Sequence, residues 1–195
     1  MYGIRALPGR PAYSFVEQKY SSQLEMVRPS SLGPVELPPV PAGYGLRQFR
    51  KGDEGPYDDL FHLAFADDGR FPETLGRTLE GGFFVIEHFA SHNLVASCVA
   101  MRGSSSPRHQ TGQLGWLMTD PSHTRRGLGT LVAAAVTDRL VAEGYDRPFL
   151  GTEDFRTPAM AIYIHLGWRP YLYREEMEAR WQNIYQSLGL EFVAR

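Results

Sequence analysis

Hydrophobic and polar residues recur along the chain in patterns that predict both strands and helices. Apolar residues in alternation or in short continuous runs are typical of strands, and they lie at residues 44–50, 83–88, 94–101, 114–118, 147–152 and 168–173. Apolar residues spaced three and four apart are typical of helices packed on a sheet. One such stretch begins after Gly52–Asp53. The others cover residues 73–79, 128–143, 157–166 and 175–189.

The order of these predicted elements indicates the fold class. The early strands follow one another through short turns such as residues 90–93, which is typical of antiparallel pairing. The later strands alternate with the helices at 128–143 and 157–166, which is typical of βαβ units. The sequence therefore predicts an α+β fold with a mixed central sheet and helices on both of its faces.

Residues 1–43 differ from the rest of the chain because prolines interrupt them, which disfavours helix and continuous strand. These are Pro8, Pro11, Pro29, Pro34, Pro38, Pro39 and Pro41. Apolar residues such as Phe15, Leu24 and Met26 are nevertheless more frequent than a plain linker needs. We expect an N-terminal extension that lies across the domain or across the partner subunit of a homodimer; a floppy tail is the alternative. Residues 44–195 would form the domain, with 175–189 as an additional C-terminal helix.

Composition and charge restrict the classes of partner. The net charge of -2 and the 43% hydrophobic content are ordinary for a globular protein, and no basic excess points to nucleic acid. Cys98 is the single cysteine, so neither a disulfide framework nor a cysteine-based zinc site is expected. No apolar run approaches the roughly 20 residues that span a bilayer, and the N-terminus lacks the apolar core of a signal peptide. We therefore expect a cytoplasmic protein that binds neither nucleic acid nor membrane.

The stretch between the strand at 114–118 and the helix at 128–143 carries the strongest functional signal. It contains Asp120–Pro121, then Arg125–Arg126, then Gly127-x-Gly129. A glycine-containing loop at a helix N-terminus exposes unpaired backbone N–H groups, which bind anions. The two arginines are unfavourable at that end of a helix unless an anion is bound, so the stretch is interpreted as an anion-binding loop. An arginine-rich surface loop without a ligand is the alternative. No Lys-Ser/Thr pair follows the second glycine, which excludes a Walker loop, and the glycine spacing does not fit a dinucleotide fingerprint.

Two motifs in this order resemble the GNAT superfamily of acyltransferases. The first is Asp-Pro followed by Arg/Gln-x-x-Gly-x-Gly/Ala at a helix start; Thr124 stands at its first position, and Arg125 stands where glycine is often found. The second is Asn-x-x-Ala-x-x-x-Tyr-x-x-x-Gly-Phe, present here as Arg156-x-x-Ala159-x-x-x-Tyr163-x-x-x-Gly167-Trp168. The predicted elements from about residue 44 to residue 173 follow the GNAT order. Residues 152–159 also resemble the mycothiol-synthase-like branch of the superfamily.

The resemblance implies how acyl-CoA, here acetyl-CoA, would be held. In GNAT enzymes it lies in a cleft where the fourth and fifth strands splay apart. Backbone N–H groups of the fourth strand, at Leu117, Met118 and Thr119, would hold the thioester carbonyl. The pyrophosphate would bind the loop, and Arg156, in place of the usual asparagine, would contribute to cofactor binding. The implied loop residues are Thr124, Arg125, Arg126, Gly127, Leu128, Gly129 and Thr130.

The candidate catalytic groups follow from the same alignment. Tyr163 matches the family's tyrosine and would be the general acid that protonates the leaving CoA thiolate; a tyrosine of the core is the alternative. Glu153 follows the fifth strand and is the candidate general base, with a merely solvated carboxylate as the alternative. Asp67 and Asp68, in a predicted loop, would attract a cationic acceptor if they are more than solvated loop residues.

These observations predict an acyl-CoA-dependent N-acyltransferase that transfers an acetyl group to a primary amine of a small molecule by direct attack. His88 and His92 straddle a predicted turn, and no histidine spacing indicates a metal site, so no metal is expected. Two alternatives stay open. One is a CoA-binding module that has lost catalysis, for which the departures at Thr124 and Arg156 are the motive. The other is an interaction protein that acts through its proline-rich arm.

Overall fold

A computed structural model of the protein describes residues 22–65, 76–103 and 105–193. The strands are β1 Leu24–Val27, β2 Tyr44–Gln48, β3 Thr78–His88, β4 Asn93–Met101, β5 Gln113–Thr119, β6 Phe149–Thr152 and β7 Arg169–Pro170. The α-helices that lie wholly within the described ranges are α1 Glu54–Ala64, α2 Leu128–Ala142, α3 Thr157–His165 and α4 Glu175–Ser187. Each strand predicted from residue 44 onward has a counterpart, although the last is shorter than predicted.

One seven-stranded sheet runs through the molecule in the order β2-β3-β4-β5-β6-β1-β7. Neighbouring strands pair antiparallel, except that β5 and β6 are parallel. Helix α1 packs on one face of the sheet, and α2, α3 and α4 contribute to the core on the other face. The predicted α+β fold with a mixed sheet and helices on both faces is therefore confirmed.

Alternation along the strands divides the core between these two faces. Phe83 of β3 and Val99 of β4 join Tyr57 of α1 in one cluster, whereas Cys98 of β4 joins Leu131 of α2 in the other. Burial raises the pKa of the Cys98 thiol well above its usual value, so this side chain behaves as a core residue. The face covered by α2 carries residues 124–130 at the start of that helix, and the face covered by α1 carries Phe65 and Trp116.

Residues 24–27 correct the predicted N-terminal extension. Leu24–Val27 forms β1, whose residues are all buried, and this strand lies between β6 and β7. The sheet therefore includes residues that precede the domain boundary predicted at residue 43. The prolines flank this segment rather than interrupt it, and Leu24 and Met26 both point into the core shared with α2. Residues 1–21 lie outside the described part of the chain, so the remainder of the expected extension stays a prediction.

The other face of β1 carries a buried carboxylate. Glu25 is 2% exposed and accepts hydrogen bonds from the Ser106 hydroxyl and the Arg108 guanidinium, while Nε2 of His109 lies 3.1 Å from its Oε2 atom. We term these four residues the Glu25 cluster. Burial raises the pKa of Glu25, but the hydrogen bonds from Arg108 and His109 and the charge of Arg108 together outweigh burial and hold this pKa below its usual value. The cluster fixes the connection between β4 and β5 onto β1.

Strand β3 begins earlier than predicted. Of the helix predicted at 73–79, Gly76 and Arg77 are helical, whereas Thr78 and Leu79 belong to β3, and Leu79 is buried. The register of β3 against β4 shifts between Thr78 and Phe83. A side chain at Gly82 would lie 2.9 Å from the Ala100 carbonyl oxygen, so glycine lets the strand continue through this irregular stretch instead of ending there. Residues 66–75, with Asp67 and Asp68, lie outside the described residues.

The C-terminal helix α4 matches its predicted position closely. Its first turn contains three glutamates, which are favourable at the positive end of a helix. Met177, Trp181 and Ile184 are buried against the sheet, as the helical spacing predicts. Within the described ranges, no helix is both long and apolar enough to cross a membrane.

Candidate active site

A cleft opens between β5 and β6 because these parallel strands are paired at one position only. Gln113 lies opposite Phe149, and no other register pair joins the two strands among the residues described. Strand β5 stays paired with β4 as far as Thr119, and β6 stays paired with β1 as far as Thr152. The carboxyl-terminal halves of β5 and β6 therefore diverge, in agreement with the splayed fourth and fifth strands of the GNAT order.

Strand β5 is irregular where it borders this cleft. Its register against β4 shifts between Ser97 and Val99, where Trp116 and Leu117 form a β-bulge opposite Cys98. Trp116 has a φ of 55°, a conformation that bulky side chains rarely adopt and that is costly unless the surroundings impose it. Strain of this kind is concentrated at functional sites, and a bulge redirects the backbone groups beside it.

The three backbone amides predicted to bind the thioester do not all face the cleft. The N–H of Asp120 donates to the Val95 carbonyl of β4 at 2.8 Å, and N–H groups alternate in direction along a strand. The N–H of Met118 is therefore directed to β4, whereas that of Thr119 is directed to the cleft. Leu117 lies in the bulge itself. Thr119 is consequently the best-placed donor of the three for a carbonyl oxygen in the cleft.

A capped 3₁₀ turn at Pro121–His123 leads from β5 towards α2. The Asp120 carboxylate accepts hydrogen bonds from the amide and the hydroxyl of Ser122, at 2.8 and 2.7 Å. The Thr124 hydroxyl donates to the Pro121 carbonyl at 3.1 Å. The Asp-Pro pair of the motif thus shapes the turn, and the Thr124 side chain is used within it.

Residues 124–130, the phosphate loop, present a row of free backbone donors. None of their N–H groups donates to an acceptor in the described part of the chain, and the first bond of this kind at the start of α2 runs from Leu131 to Gly127. Gly127 has a φ of 78° and stands at the N-cap of α2, a conformation that glycine adopts without strain. The dipole of the helix adds positive potential at the same point.

The two arginines of the phosphate loop strengthen that potential. Arg125 and Arg126 are exposed, and neither forms an ion pair with a described residue. Arg125 has a φ of 58°, which glycine, often found at this position of the motif, would adopt more easily. Exposed cations beside free amides are the arrangement that a phosphate group requires.

Gly129 brings the start of α2 against the wall of the cleft. A Cβ atom at this position would lie 3.2 Å from Thr119 Oγ1 and 3.2 Å from Ile162 Cδ1. Even an alanine would therefore force a neighbour to move. The missing side chain lets the phosphate loop, the end of β5 and helix α3 converge at one point, so an anion on the loop would lie at the mouth of the cleft.

His123, in the turn before the phosphate loop, contacts the sheet edge. Its Nδ1 atom lies 2.9 Å from the Tyr44 hydroxyl, and its ring centroid lies 4.8 Å from that of His88. Burial is the main cause that lowers the pKa of His123, and the nearby His88 and Arg126 lower it further, against the charge of Asp120. No group of three or more potential metal ligands occurs among the residues described.

Tyr163, the predicted general acid, lies on α3 with its side chain 5% exposed. Burial raises the pKa of its phenol far above the usual value, so the hydroxyl is protonated at neutral pH. The charges of Arg156 and Glu153 also act on it, which places it near the turn that follows β6. Its ring makes an edge contact with Trp168, with centroids 6.5 Å apart. This position is compatible with the acid role and with the core alternative.

Glu153 and Arg156 form an ion pair in the turn between β6 and α3. Arg156 Nε lies 2.6 Å from Glu153 Oε2, and Gln23 Nε2 donates to Glu153 Oε1 at 2.7 Å. The sequence assigns Arg156 to cofactor binding, but its guanidinium is directed to Glu153 and to the rings of Phe65 and Phe155, with centroids 4.5 and 5.2 Å away. The candidate base is therefore held by two donors, one of which comes from the N-terminal segment.

Sequence reasoning does not identify four residues that border this site: Gln23, Phe65, Trp116 and Phe155. Gln23 immediately precedes β1, and the alternation of Leu24 and Met26 is the one local signal for that strand. Nothing in a single sequence indicates the bulge that sets the direction of Trp116. Asp154, which strand alternation directs away from Glu153, forms an ion pair with Arg180 of α4.

Comparisons with known proteins identify this fold. Residues 94–179 match the family model described as FR47-like protein, which spans β4 to the first turn of α4 and so contains both motifs. No curated protein sequence matches the chain.

Several solved structures share the fold. A GCN5-related N-acetyltransferase from Sphaerobacter thermophilus is 18% identical, with a TM-score of 0.57 over 76% of this chain and 49% of that chain. A GCN5-related N-acetyltransferase from Kribbella flavida is 19% identical, with a TM-score of 0.51 over 77% of this chain and 55% of that one. An acetyltransferase from Trypanosoma brucei is 20% identical, with a TM-score of 0.52 over 67% of this chain and 96% of that one.

The chain thus spans about half the length of the first two of these structures. The predicted resemblance to the GNAT superfamily is confirmed by the family match and the shared fold. The finer placement in the mycothiol-synthase-like branch stays a prediction.

Proposed function

We propose, from the GNAT fold and this cleft, that the protein is an acyl-CoA-dependent N-acyltransferase. It transfers an acetyl group from acetyl-CoA to the primary amine of a small molecule. One observation carries the proposal: Arg125, Arg126 and the backbone amides of residues 124–130, which have no protein partner among the described residues, converge through Gly129 on the point where β5 leaves β6. A pyrophosphate bound there would direct the rest of a CoA molecule along the divergent strands.

Each residue of the cleft has a defined task in this proposal. The phosphate loop binds the pyrophosphate through backbone N–H groups and the helix dipole. The Thr119 amide donates to the thioester oxygen, where negative charge develops during attack, a contribution typically worth about 2.7–4 kcal/mol. Arg125 and Arg126 add charge at the pyrophosphate. Arg156 acts on Glu153 rather than on the phosphates.

Proton transfer balances the reaction. The amine nitrogen forms a bond to the carbonyl carbon, the carbon–sulfur bond breaks, and the Tyr163 hydroxyl gives its proton to the departing thiolate. Glu153 accepts the proton that the attacking amine loses, directly or through water. Its oxygens accept from Gln23 and Arg156 and each retain a further lone pair for this step. The phenolate left on Tyr163 is then reprotonated from solvent.

An amine screen that follows the release of the CoA thiol tests the proposal. Cys98 is 0% exposed, so a thiol reagent reports free CoA with little background from the protein. We expect acetyl-CoA-dependent thiol release with at least one primary amine, and binding of acetyl-CoA by calorimetry in the presence of a chelator. Binding without turnover for every amine would favour a CoA-binding module that has lost catalysis. Absence of CoA binding would favour an interaction protein that acts through its N-terminal arm.

The role of Tyr163 is tested by Tyr163→Phe, which keeps the ring and removes the proton donor. We expect turnover to fall by about 10²–10⁴-fold with little change in CoA affinity. Tyr185→Phe on α4 is the matched control, since Tyr185 is a partly buried tyrosine that packs beside the same core, and its turnover should be unchanged. Full turnover of Tyr163→Phe with a lowered melting temperature would assign Tyr163 to the core alone.

A further inference from the structure

A row of aromatic side chains borders the cleft on the side of α1. The Trp116 ring lies 5.4 Å from Phe61 and 5.7 Å from Phe65 between centroids. The Arg156 guanidinium lies 4.5 Å from the Phe65 ring and 5.2 Å from the Phe155 ring. Ring contacts join Trp116 to Phe65, and the Arg156 guanidinium joins Phe65 to Phe155, so the row extends from the bulge of β5 to the turn after β6.

Both ends of this row are next to groups that the proposed reaction uses. Trp116 lies three residues before Thr119, whose amide faces the cleft. Phe155 lies between Glu153 and Arg156, whose charges act on the Tyr163 hydroxyl. The phosphate loop belongs to α2, on the opposite face of the sheet from α1. An acceptor that approaches the thioester from the side of α1, away from the phosphate loop, would pass along the aromatic row.

The charges beside this row are already compensated. Glu153 pairs with Arg156, and Asp154 pairs with Arg180, whose side chain is 1% exposed. Each carboxylate beside the row therefore already has a cationic partner, with which a second ammonium group of the acceptor would have to compete. In contrast, Phe155 exposes 51% of its surface, although a large apolar side chain gains free energy from burial. The strained backbone of Trp116 indicates that the surrounding structure fixes its ring in this place.

We propose that the acceptor is a primary amine attached to a flat aromatic or apolar group that binds on the surface of this row, whose two ends are Trp116 and Phe155. This inference rests on the proposed acyltransferase function and names its substrate class. The row contacts the apolar group by ring stacking and area burial, and it leaves the amine directed to the thioester. A polyamine or an aminosugar has no such group to place on the row.

Matched amines test this proposal. With acetyl-CoA held constant, kcat/KM for 2-phenylethylamine should exceed that for ethylamine by about 10- to 100-fold, the range expected for burial of a phenyl ring. Spermidine should be no better than ethylamine. A ratio near one, or a preference for spermidine, would overturn the inference while leaving the acyltransferase proposal intact.

A pair of phenylalanine variants locates the effect. Phe155→Ala should lower the ratio of kcat/KM for 2-phenylethylamine over ethylamine by about 3- to 10-fold, as expected for part of a burial contact. Phe89→Ala removes a similarly exposed ring, 55% exposed on the turn between β3 and β4, and should leave that ratio unchanged. An unchanged ratio in Phe155→Ala would contradict the proposed place of binding.

A binding measurement separates this inference from the proposed reaction. Trp168 and Trp181 are 1% and 0% exposed, so a change in tryptophan fluorescence on adding 2-phenylethylamine to the CoA-bound protein reports chiefly on Trp116. We expect a saturable change that is weaker in Phe155→Ala and absent with ethylamine. A protein that shows this change without thiol release would refute the acyltransferase proposal and retain the aromatic site. No change with 2-phenylethylamine would refute the site.

Discussion

Arginine has opposite roles in two regions of this molecule. In the Glu25 cluster, Arg108 donates to a carboxylate that is almost fully buried, and its guanidinium lies 3.8 Å from the Tyr173 ring centroid. In the phosphate loop, Arg125 and Arg126 are exposed and have no carboxylate partner among the described residues. The first arginine completes the fold, whereas the other two leave positive charge uncompensated beside free backbone amides.

The difference shows how a site can be recognised from its charges. A paired cation beside a buried anion is part of the protein's own structure, because separating the two would leave a charge without solvent or partner. Cations at a helix N-terminus oppose the helix dipole, so they cost stability until an anion arrives. Uncompensated charge in such a place therefore indicates a ligand. Substitutions in the Glu25 cluster should lower the free energy of unfolding, whereas substitutions in the phosphate loop should weaken ligand binding.

The largest effect is expected at Gly127, where the phosphate loop enters α2. Gly127→Asp puts a negative charge among the amides, and repulsion of a phosphate at a few ångströms should weaken CoA binding by at least about a hundredfold. Apart from its chain neighbours, no atom lies within 4 Å of a Cβ built here, and Asp is one of the residues that tolerate a positive φ, so the fold should survive with modest strain. Calorimetric titration with CoA measures the effect. Gly127→Asn, which has the same shape without the charge and tolerates this backbone, should retain most of the affinity.

Glu25→Gln should lower the free energy of unfolding by disrupting the Glu25 cluster. It leaves Arg108 and His109 without their anion, and loss of one partner of a buried pair costs about 3–5 kcal/mol. We expect a loss of stability at the lower end of this range, because the Arg108 side chain is 35% exposed and solvent can partly replace its partner. Chemical denaturation gives the free energy of unfolding. Glu143→Gln, which removes an exposed partner of Arg139 on α2, should cost less than about 0.5 kcal/mol. Equal losses in the two variants would show that the Glu25 cluster is not a buried ionic site.

Acid should act on the Glu25 cluster in a defined direction. The pKa of Glu25 is lower in the folded protein than its usual value of 4.5, so the unfolded chain binds a proton first as the pH falls. The stabilisation is complete above the unfolded pKa and is lost as the pH falls through the folded pKa. Unfolding measured from pH 6 to pH 2.5 should show a steeper loss for the parent than for Glu25→Gln. Parallel curves would exclude this linkage.

The smallest effect is expected at the exposed arginines of the phosphate loop. Arg126→Gln should weaken CoA binding by about two- to fivefold, as for an exposed charge interaction, and the loss should shrink as salt screens it. The CoA-free protein should melt at a slightly higher temperature, because a cation leaves the positive end of α2. Arg174→Gln removes an arginine that precedes α4 instead and should not alter CoA affinity. A salt-independent loss would point to a structural role for Arg126.

The sequence alone was sufficient for the features that local chemistry controls. The phosphate loop follows from a turn-forming Asp120–Pro121, a glycine at the helix N-cap and the helical spacing after Leu128, all within a few residues of one another. The α+β class follows from hydrophobic periods and from the order of the elements. The motif around Tyr163 was equally visible, because the residues that position it lie on one short helix.

Only the tertiary structure decided which distant segments meet. The place of β1 between β6 and β7 depends on pairing residues 24–27 with residues 149–152, which no local pattern specifies. The same pairing brings Gln23 to Glu153, and Glu25 to Arg108. Arg156 contacts Phe65 because α1 ends beside the turn after β6. Such contacts follow from strand register and from long-range packing, whose energy is shared among many residues and leaves no periodic signal in any one segment.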